Sequence, residues 1–350
     1  MRAIVDNWPV LLREGVADYL KRFLPSTLVE LFMTVLVIAL LLTFSAVTVM
    51  FLVWLERKVI GRIQDRYGPN RAGRFGSLQL IADTIKLLSK EDIVPAQGDR
   101  WVFYLAPIVV VVPALLIYAV IPFGRGMILT DLNVGILYVM AVSSLTTVGI
   151  LMAGWSSNNK YSLLGAMRAA AQIVSYEIPM VLSVLGVILL TGSLSMVAIV
   201  NAQSRLPFVV LQPLGFLLFF VAAIAEANRT PFDLVEAESE IVAGYHTEYS
   251  GMRFALFFLA EYMNAFAISA LAATLFLGGW QWGILPPYVW FFLKTYALVF
   301  VLLWIRGTLP RLRVDQLMGL AWKVMIPLAL VNVFASAAGI SVWQRVFGGV

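Results

Sequence analysis

The sequence predicts an all-α membrane protein, a bundle of about eight transmembrane helices with amphipathic helices at the membrane surface. Of its 350 residues, 61% are hydrophobic and 13% are charged, whereas roughly 25% of residues are charged in an average soluble domain. Long apolar segments recur along the chain, and most have the ~20 residues that a helix needs to cross about 30 Å of hydrocarbon. Helices are predicted rather than an open sheet because lipid offers no hydrogen bonds to an exposed backbone.

The predicted spans belong to one membrane domain covering residues 1–350. This composition excludes a soluble enzyme, a disordered chain and a nucleic-acid-binding domain, so no nucleic-acid partner is expected. No cleaved signal peptide is predicted in residues 1–28, because charges of both signs occur there. The seventh span is short and contains Lys294. In chain order, the eight spans lie near 31–55, 101–123, 134–155, 169–190, 207–227, 254–280, 289–305 and 324–343.

The distribution of Lys and Arg predicts the orientation. Eight spans place four loops on one side of the membrane, and these loops hold 17 of the 25 basic residues. The positive-inside rule then puts these inner loops in the cytoplasm or the mitochondrial matrix, and both termini outside. The inner loops are 56–100, 156–168, 228–253 and 306–323.

The first inner loop predicts an interfacial helix. Glu56, Arg57 and Lys58 are expected to end the first span at the membrane surface. A helical pattern begins at Gly76, with Asp83 and Lys86 placed to pair on its polar face. A helix in the headgroup layer is favoured, and the alternative is a portal for an amphiphile lined by Arg57, Arg66, Asp83 and Lys86. The apolar stripe that carries both interpretations is Leu78, Ile81, Ile85 and Leu88.

The third inner loop is acidic where an inner loop should be basic. Thr230 and Pro231 resemble a helix start, with Asp233 at the third helical position. Asp233, Glu236 and Glu240 would then share one helix face, where mutual repulsion favours proton uptake near neutral pH. The alternatives are a solvated acidic face and acids that complement the helix dipole. The six acids are Glu226, Asp233, Glu236, Glu238, Glu240 and Glu248.

Several ionisable groups fall within predicted spans. Glu177, Glu226, Glu261 and Lys294 lie in or at the end of apolar segments, where charge is costly and faces a bundle interior, a partner or water. A polar path for protons is favoured over ion-paired structural groups. The sequence contains no Cys and a single His, His246, so this chain is expected to bind no metal, Fe–S cluster, flavin or haem, and His246 is interpreted as a loop imidazole.

Two stretches carry a family resemblance. They read ERKVIGRIQDRYGPNRAGRFGSLQLIADTIKLLSKE at 56–91 and AEANRTPFDLVEAESEIVAGYHTEYSGMRFALFFLAEY at 225–262, with support from 169–180 and 304–323. The chain resembles the H subunit of bacterial respiratory complex I, an NADH:quinone oxidoreductase, called subunit 1 in mitochondria. Thr84 departs from the small apolar residue more usual in that family.

The resemblance implies a membrane-arm subunit without a redox centre, for which quinone is a substrate. It implies that the chain forms a quinone tunnel. The expected partners are the quinone-site subunits of the hydrophilic arm, neighbouring small membrane-arm subunits and the surrounding lipid bilayer. A bacterial inner membrane is favoured over a mitochondrial one. The tunnel residues would be Arg57, Arg66, Phe254, Phe258 and Arg306. The residues coupling quinone chemistry to protons would be Glu177, Glu226, Asp233, Glu236, Glu238, Glu240, Glu248 and Glu261.

Two other functions stay open from sequence. One is the equivalent membrane component of a related hydrogenase or other donor-linked dehydrogenase. The other is a stand-alone proton or cation transporter, against which the long charged inner loops and the lack of an inverted repeat argue.

Overall fold

The computed structural model describes residues 10–11, 14–23, 25–234 and 241–347. In the described part of the chain, regular structure is helical, apart from an isolated bridge between Gly124 and Met127. A π-helical turn at Leu320–Met325 joins the last two helices. The helices are α1 (Ser26–Ile63), α2 (Gln79–Ser89), α3 (Arg100–Tyr118), α4 (Gly135–Ser156), α5 (Lys160–Thr191), α6 (Met196–Ala202), α7 (Phe208–Leu211), α8 (Pro213–Glu226), α9 (Gly251–Phe276), α10 (Pro287–Thr308), α11 (Val314–Gly319) and α12 (Ile326–Phe347).

Among the described residues, seven helices are long and apolar enough to cross a membrane. They confirm the predicted all-α, polytopic class. The segment predicted as a span at 207–227 forms two shorter helices, α7 and α8, which meet at Gln212. Pro213 begins α8, and because it lacks an N–H it cannot continue the hydrogen bonding of α7. The side-chain amide of Gln212 donates to Ser336 Oγ at 2.8 Å and so ties this junction to α12.

Helix α1 extends beyond the predicted span of 31–55 at both ends. Its 38 residues correspond to about 57 Å of helix. Glu56 lies inside α1 and is 6% exposed, so the helix does not end there and this carboxylate faces the protein interior. The chain turns back only after Ile63, and Gly68 then packs on the Arg57 carbonyl so closely that a Cβ would lie 2.7 Å from its oxygen.

Helix α9 lies at the centre of the bundle and contacts α1, α2, α3 and α10. Its inner residues are fully buried, including Met263, Phe266 and Ala270. Many are alanines, and small side chains let membrane helices approach closely. The Tyr118 hydroxyl of α3 donates to the Met263 carbonyl at 3.0 Å. This packing places the first half of α9, which carries Phe254, Phe258 and Glu261, among the helices that form the candidate site.

Candidate functional site

A cavity of about 430 Å³ lies between α1, α2 and the start of α9. Its walls are mostly aliphatic and aromatic, and Phe254 and Phe258 stack along one side with ring centroids 6.1 Å apart. Three charged side chains line the cavity: Arg57 of α1, and Asp83 and Lys86 of α2. The cavity is therefore amphipathic. Its lining consists of Ala46, Val49, Met50, Val53, Arg57, Leu80, Asp83, Thr84, Lys86, Leu87, Met252, Phe254, Ala255, Leu256, Phe258 and Leu259.

Asp83 organises the charged wall. Its carboxylate accepts hydrogen bonds from Arg57 Nη1 at 2.7 Å and from Gln79 Nε2 at 3.2 Å. The predicted Asp83–Lys86 pair is present at 3.9 Å, but Arg57 of α1 is the nearer partner. Burial acts to raise the pKa of Asp83, and the hydrogen bonds from Arg57 and Gln79 with the nearby positive charges outweigh it, so this pKa lies below its ordinary value.

Helix α2 begins at Gln79, and the predicted start at Gly76 forms a 3₁₀ turn. The helix presents two apolar faces. Leu80 and Leu87 line the cavity. The predicted stripe of Leu78, Ile81, Ile85 and Leu88 is 45–61% exposed. The exposed stripe supports the interfacial interpretation, and the lined cavity supports the portal interpretation, so the two are compatible.

Four charged side chains form an ion-pair cluster beside the cavity. Glu56 binds both Arg229 Nη1 at 3.0 Å and Arg306 Nη1 at 2.8 Å. Arg229 Nε also lies 3.0 Å from Glu261 Oε1. Arg229 is 4% exposed and its guanidinium lies over the Tyr262 ring at 4.1 Å.

The charges of this cluster balance, with two carboxylates facing two guanidiniums. Burial acts to lower the pKa of Arg229, but the charges of Glu261 and Glu56 outweigh it and raise this pKa well above its ordinary value. The sequence does not mark Glu56 and Arg229 as site residues. The position of Arg229 among six acids is the one sequence feature that could have singled it out. Its partner Glu56 lies 173 residues earlier in the chain, so their pairing could not be read from sequence.

The acidic loop does not begin as the sequence predicts. Residues 230–234 are not helical, so the expected helix start at Thr230–Pro231 is wrong. Asp233 therefore does not lie on a helix face, and it binds Arg311 Nη2 at 3.1 Å. The Leu312 N–H donates to the Pro231 carbonyl at 3.0 Å, so this loop is joined to the segment after α10. Glu236, Glu238 and Glu240 lie outside the described residues.

A series of three carboxylates begins at Glu261 of the ion-pair cluster and continues through Glu226 to Glu177. Glu261 and Glu226 line a cavity of about 30 Å³ together with Thr146 and Asn264. A second cavity of about 30 Å³ borders Glu226 and also contains Ser143, which hydrogen-bonds the Glu226 side chain. Glu226 Oε2 is buried without a hydrogen-bond partner among the described residues. Each space is the size of one or two water molecules.

Glu177 of α5 continues this series. Its charge interacts with that of Glu226, and its side chain is half-buried. The structure therefore places Glu226 near both Glu177 and Glu261, and a polar path for protons through them stays a prediction. Ser143, Thr146 and Asn264, which lie between them, are missed from sequence because single hydroxyl and amide residues within apolar spans are common.

Two other predicted site residues, Arg66 and Glu248, lie apart from both the ion-pair cluster and the carboxylates. Arg66 is exposed and its Nε donates to Gln64 at 2.8 Å. Arg306 belongs to the ion-pair cluster and does not line the larger cavity. Glu248 accepts a hydrogen bond from Asn159 at 2.7 Å. His246 packs on Tyr245 and Phe254, and burial lowers its pKa to about 4.

Lys294 does not belong to the carboxylate series. Its ammonium donates to the carbonyls of Leu277, Gly279 and Gln281 at 2.6–2.9 Å. Leu277 follows the end of α9, about 24 Å along the helix from Glu261. The prediction that Lys294 belongs to a polar proton path is therefore wrong. Lys294 instead caps the C-terminal end of α9 by donating to the carbonyls that follow it.

Together the fold and the site define a class of protein. It is a polytopic, all-helical membrane protein with an amphipathic side cavity and a series of buried carboxylates. No group of three or more His, Cys, Asp or Glu side chains in the described part of the chain could hold a metal ion.

Comparison with known proteins gives the family. A family model described as NADH dehydrogenase matches residues 35–337. The H subunit of NADH-quinone oxidoreductase from Dehalococcoides mccartyi is 60% identical over 300 residues, covering 86% of this chain and 85% of the relative. The H subunit from Geobacillus kaustophilus is 56% identical (85% and 91% covered), and an H subunit from Syntrophobacter fumaroxidans is 53% identical (87% and 93% covered). The chain belongs to the family of the NADH-quinone oxidoreductase H subunits, and its partners include other subunits of that enzyme complex.

Proposed function

We propose that the cavity between α1, α2 and α9 admits quinone from the bilayer. The observation that carries this proposal is its amphipathic lining: apolar walls next to the Arg57–Asp83 pair. A quinone has an isoprenoid tail that prefers apolar walls and a head group with two carbonyl acceptors. The charged wall offers donors to those carbonyls. The relatives are named for quinone oxidoreduction, which favours this function over a role in a hydrogenase.

The carboxylates Glu261, Glu226 and Glu177 then carry the effect of quinone reduction into the membrane. Reduction of a quinone to a quinol takes up two electrons, which NADH supplies through other subunits of the complex, and two protons. Loss of those protons from protein groups changes the charge balance that the ion-pair cluster senses. Glu261 belongs both to that cluster and to the carboxylate series. A change at Arg229 therefore reaches Glu226 through groups that can exchange protons by way of water, Thr146 and Asn264.

Partners cover the charged surfaces of this chain. Glu177 lies half-buried within α5, and a carboxylate at that depth is costly against lipid. We assign this face to a neighbouring membrane-arm subunit. The inner loops, with the acidic loop and segment 309–313 joined by the Asp233–Arg311 pair, dock the quinone-site subunits of the hydrophilic arm. With α7 and α8 together taken as the eighth crossing, the chain lies in a bacterial inner membrane with both termini outside.

The test is a pair of variants in the assembled complex. Glu226→Gln and Glu261→Gln keep the shape of each side chain and remove the ionisable group. Both should lower quinone reductase activity and proton translocation several-fold while NADH oxidation by a hydrophilic artificial acceptor is unchanged. Glu30→Gln, an exposed acid of α1, is the matched control. Normal quinone turnover and proton translocation in both variants would refute the coupling role.

A further inference from the structure

Helix α2 is held at both ends. Before its start, Trp54 Nε1 of α1 donates to the Phe75 carbonyl at 3.2 Å. Gly76 has a φ of +75°, and a Cβ there would collide with the Pro69 carbonyl oxygen. Beyond its end, Arg253 of α9 binds Asp92 at 2.7 Å. These contacts fix where the helix begins and ends across the cavity.

The middle of α2 is held differently. Between these ends, the polar connection from the helix to α1 is the Arg57–Asp83 ion pair. The two side chains line the cavity and are also 42% and 23% exposed. The pair therefore lies where the cavity meets the surface of the protein.

The outer face of α2 is largely exposed. Ile81, Ile85 and Leu88 are 45–61% exposed, as is Leu78 just before the helix. An ion pair that is partly exposed is weak and is screened by salt, so it opens readily. The centre of α2 is held by this weak pair and by the packing of Leu80 and Leu87 over the cavity, so it can move outward without losing the contacts at the helix ends.

We propose that the Arg57–Asp83 ion pair is a latch at the mouth of the cavity that sets how large a quinone head group can pass. With the pair closed, α2 narrows the mouth and small head groups are favoured. With the pair open, bulkier head groups enter. This inference rests on the proposed quinone function, which it deepens by naming the residues that select the substrate.

The experiment compares Asp83→Asn with wild type in the purified complex. The probes are a benzoquinone and a naphthoquinone carrying the same decyl tail. Taking the ratio of variant to wild type for each quinone removes their difference in redox potential. Asp83→Asn should lower the KM for the naphthoquinone by about threefold relative to that for the benzoquinone. Asp83→Glu, which retains the charge, should keep the wild-type ratio. Equal changes in both KM values, or the same loss of discrimination in Asp83→Glu, would overturn the latch.

Two further measurements keep the proposal testable. Asp65→Asn is the matched control, because Asp65 is exposed and has a φ of 52° that Asn tolerates. If Asp83→Asn fails to assemble, the wild-type complex replaces it: rising ionic strength should lower the naphthoquinone-to-benzoquinone KM ratio, and a constant ratio would contradict the latch. The latch and the quinone function can fail separately. If Phe258→Trp, which fills part of the cavity, still raises the KM for both quinones, the quinone function stands even when the latch does not.

Discussion

Glu56 Oε2 accepts a hydrogen bond from Arg229 Nη1 at 3.0 Å and so joins α1 to the segment that follows α8. Both side chains are nearly excluded from solvent. Arg229 also binds Glu261, and Glu56 also binds Arg306. The cluster therefore ties α1, α9, α10 and the acidic loop together beside the cavity, where a change in charge at one member is felt by the other three.

Arg229→Gln should destabilise the protein strongly. The change leaves Glu56 with Arg306 as its remaining cationic partner and removes the guanidinium that lies 3.0 Å from Glu261. Breaking a buried pair from one side typically costs about 3–5 kcal/mol. The yield and thermal stability of the assembled complex measure the effect. Arg313→Gln, which breaks an exposed pair with Asp315, should leave both unchanged. A complex of normal stability with Arg229→Gln would show that the cluster is not structural.

Phe258→Trp should impair quinone reduction by filling part of the cavity. The larger ring narrows the space beside Phe254, so the KM for long-tailed quinones should rise several-fold while oxidation of NADH by an artificial acceptor is unchanged. Phe334→Trp makes the same change at a side chain of α12 that is 72% exposed and should have no effect. Identical quinone kinetics in the two variants would argue against passage through this cavity.

Asp233→Asn should loosen two joined loops. It weakens the ion pair with Arg311 and leaves the hydrogen bond from Leu312 N–H to the Pro231 carbonyl in place. Amide hydrogen exchange should quicken in segments 230–234 and 309–313, and quinone reductase activity should fall with them. Asp131→Asn, in the loop before α4, serves as control. Unchanged exchange in both segments would mean that the ion pair does not hold the loops.

His246 predicts a pH dependence of stability. Burial lowers its pKa to about 4 in the folded protein, against about 6.5 when unfolded. Between these values the unfolded state binds more protons, so stability falls as the pH drops through this window, by about 1 kcal/mol at about pH 5.5. His246→Phe should remove this part of the pH dependence. Thermal inactivation profiles at about pH 7.5 and about pH 5.5 measure it, and parallel acid sensitivity in both proteins would exclude His246 as the cause.

The architecture could be predicted from the sequence because hydropathy and segment length are local properties. The family resemblance implies Phe254 and Phe258 as tunnel residues, and residues four apart share a helix face, so both lie in one wall of the cavity. The extension of α1 past Glu56 could not be predicted, since a buried pair can keep a carboxylate inside a helix bundle. The pairing of Glu56 with Arg229 depends on tertiary contacts between distant segments, which no local pattern encodes.

The start of the acidic loop shows a second limit. Thr230, Pro231 and Asp233 fit a helix start by residue type, but tertiary contacts with Arg311 and Leu312 hold this segment in a non-helical conformation. The sequence groups Lys294 with the intramembrane acids only because it lies within a predicted span. In the structure its ammonium donates hydrogen bonds to three backbone carbonyls at the end of α9. In both cases the sequence shows the chemical group and not its partner.

The central claim is that quinone occupies the cavity between α1, α2 and α9. A photoreactive quinone analogue, irradiated in the intact complex and mapped by mass spectrometry, tests it most directly. Labelling should fall on residues 46–57, 80–87 and 252–259 and should decrease when unlabelled quinone competes. Labelling of this chain confined to other segments, or insensitive to competing quinone, would contradict the claim.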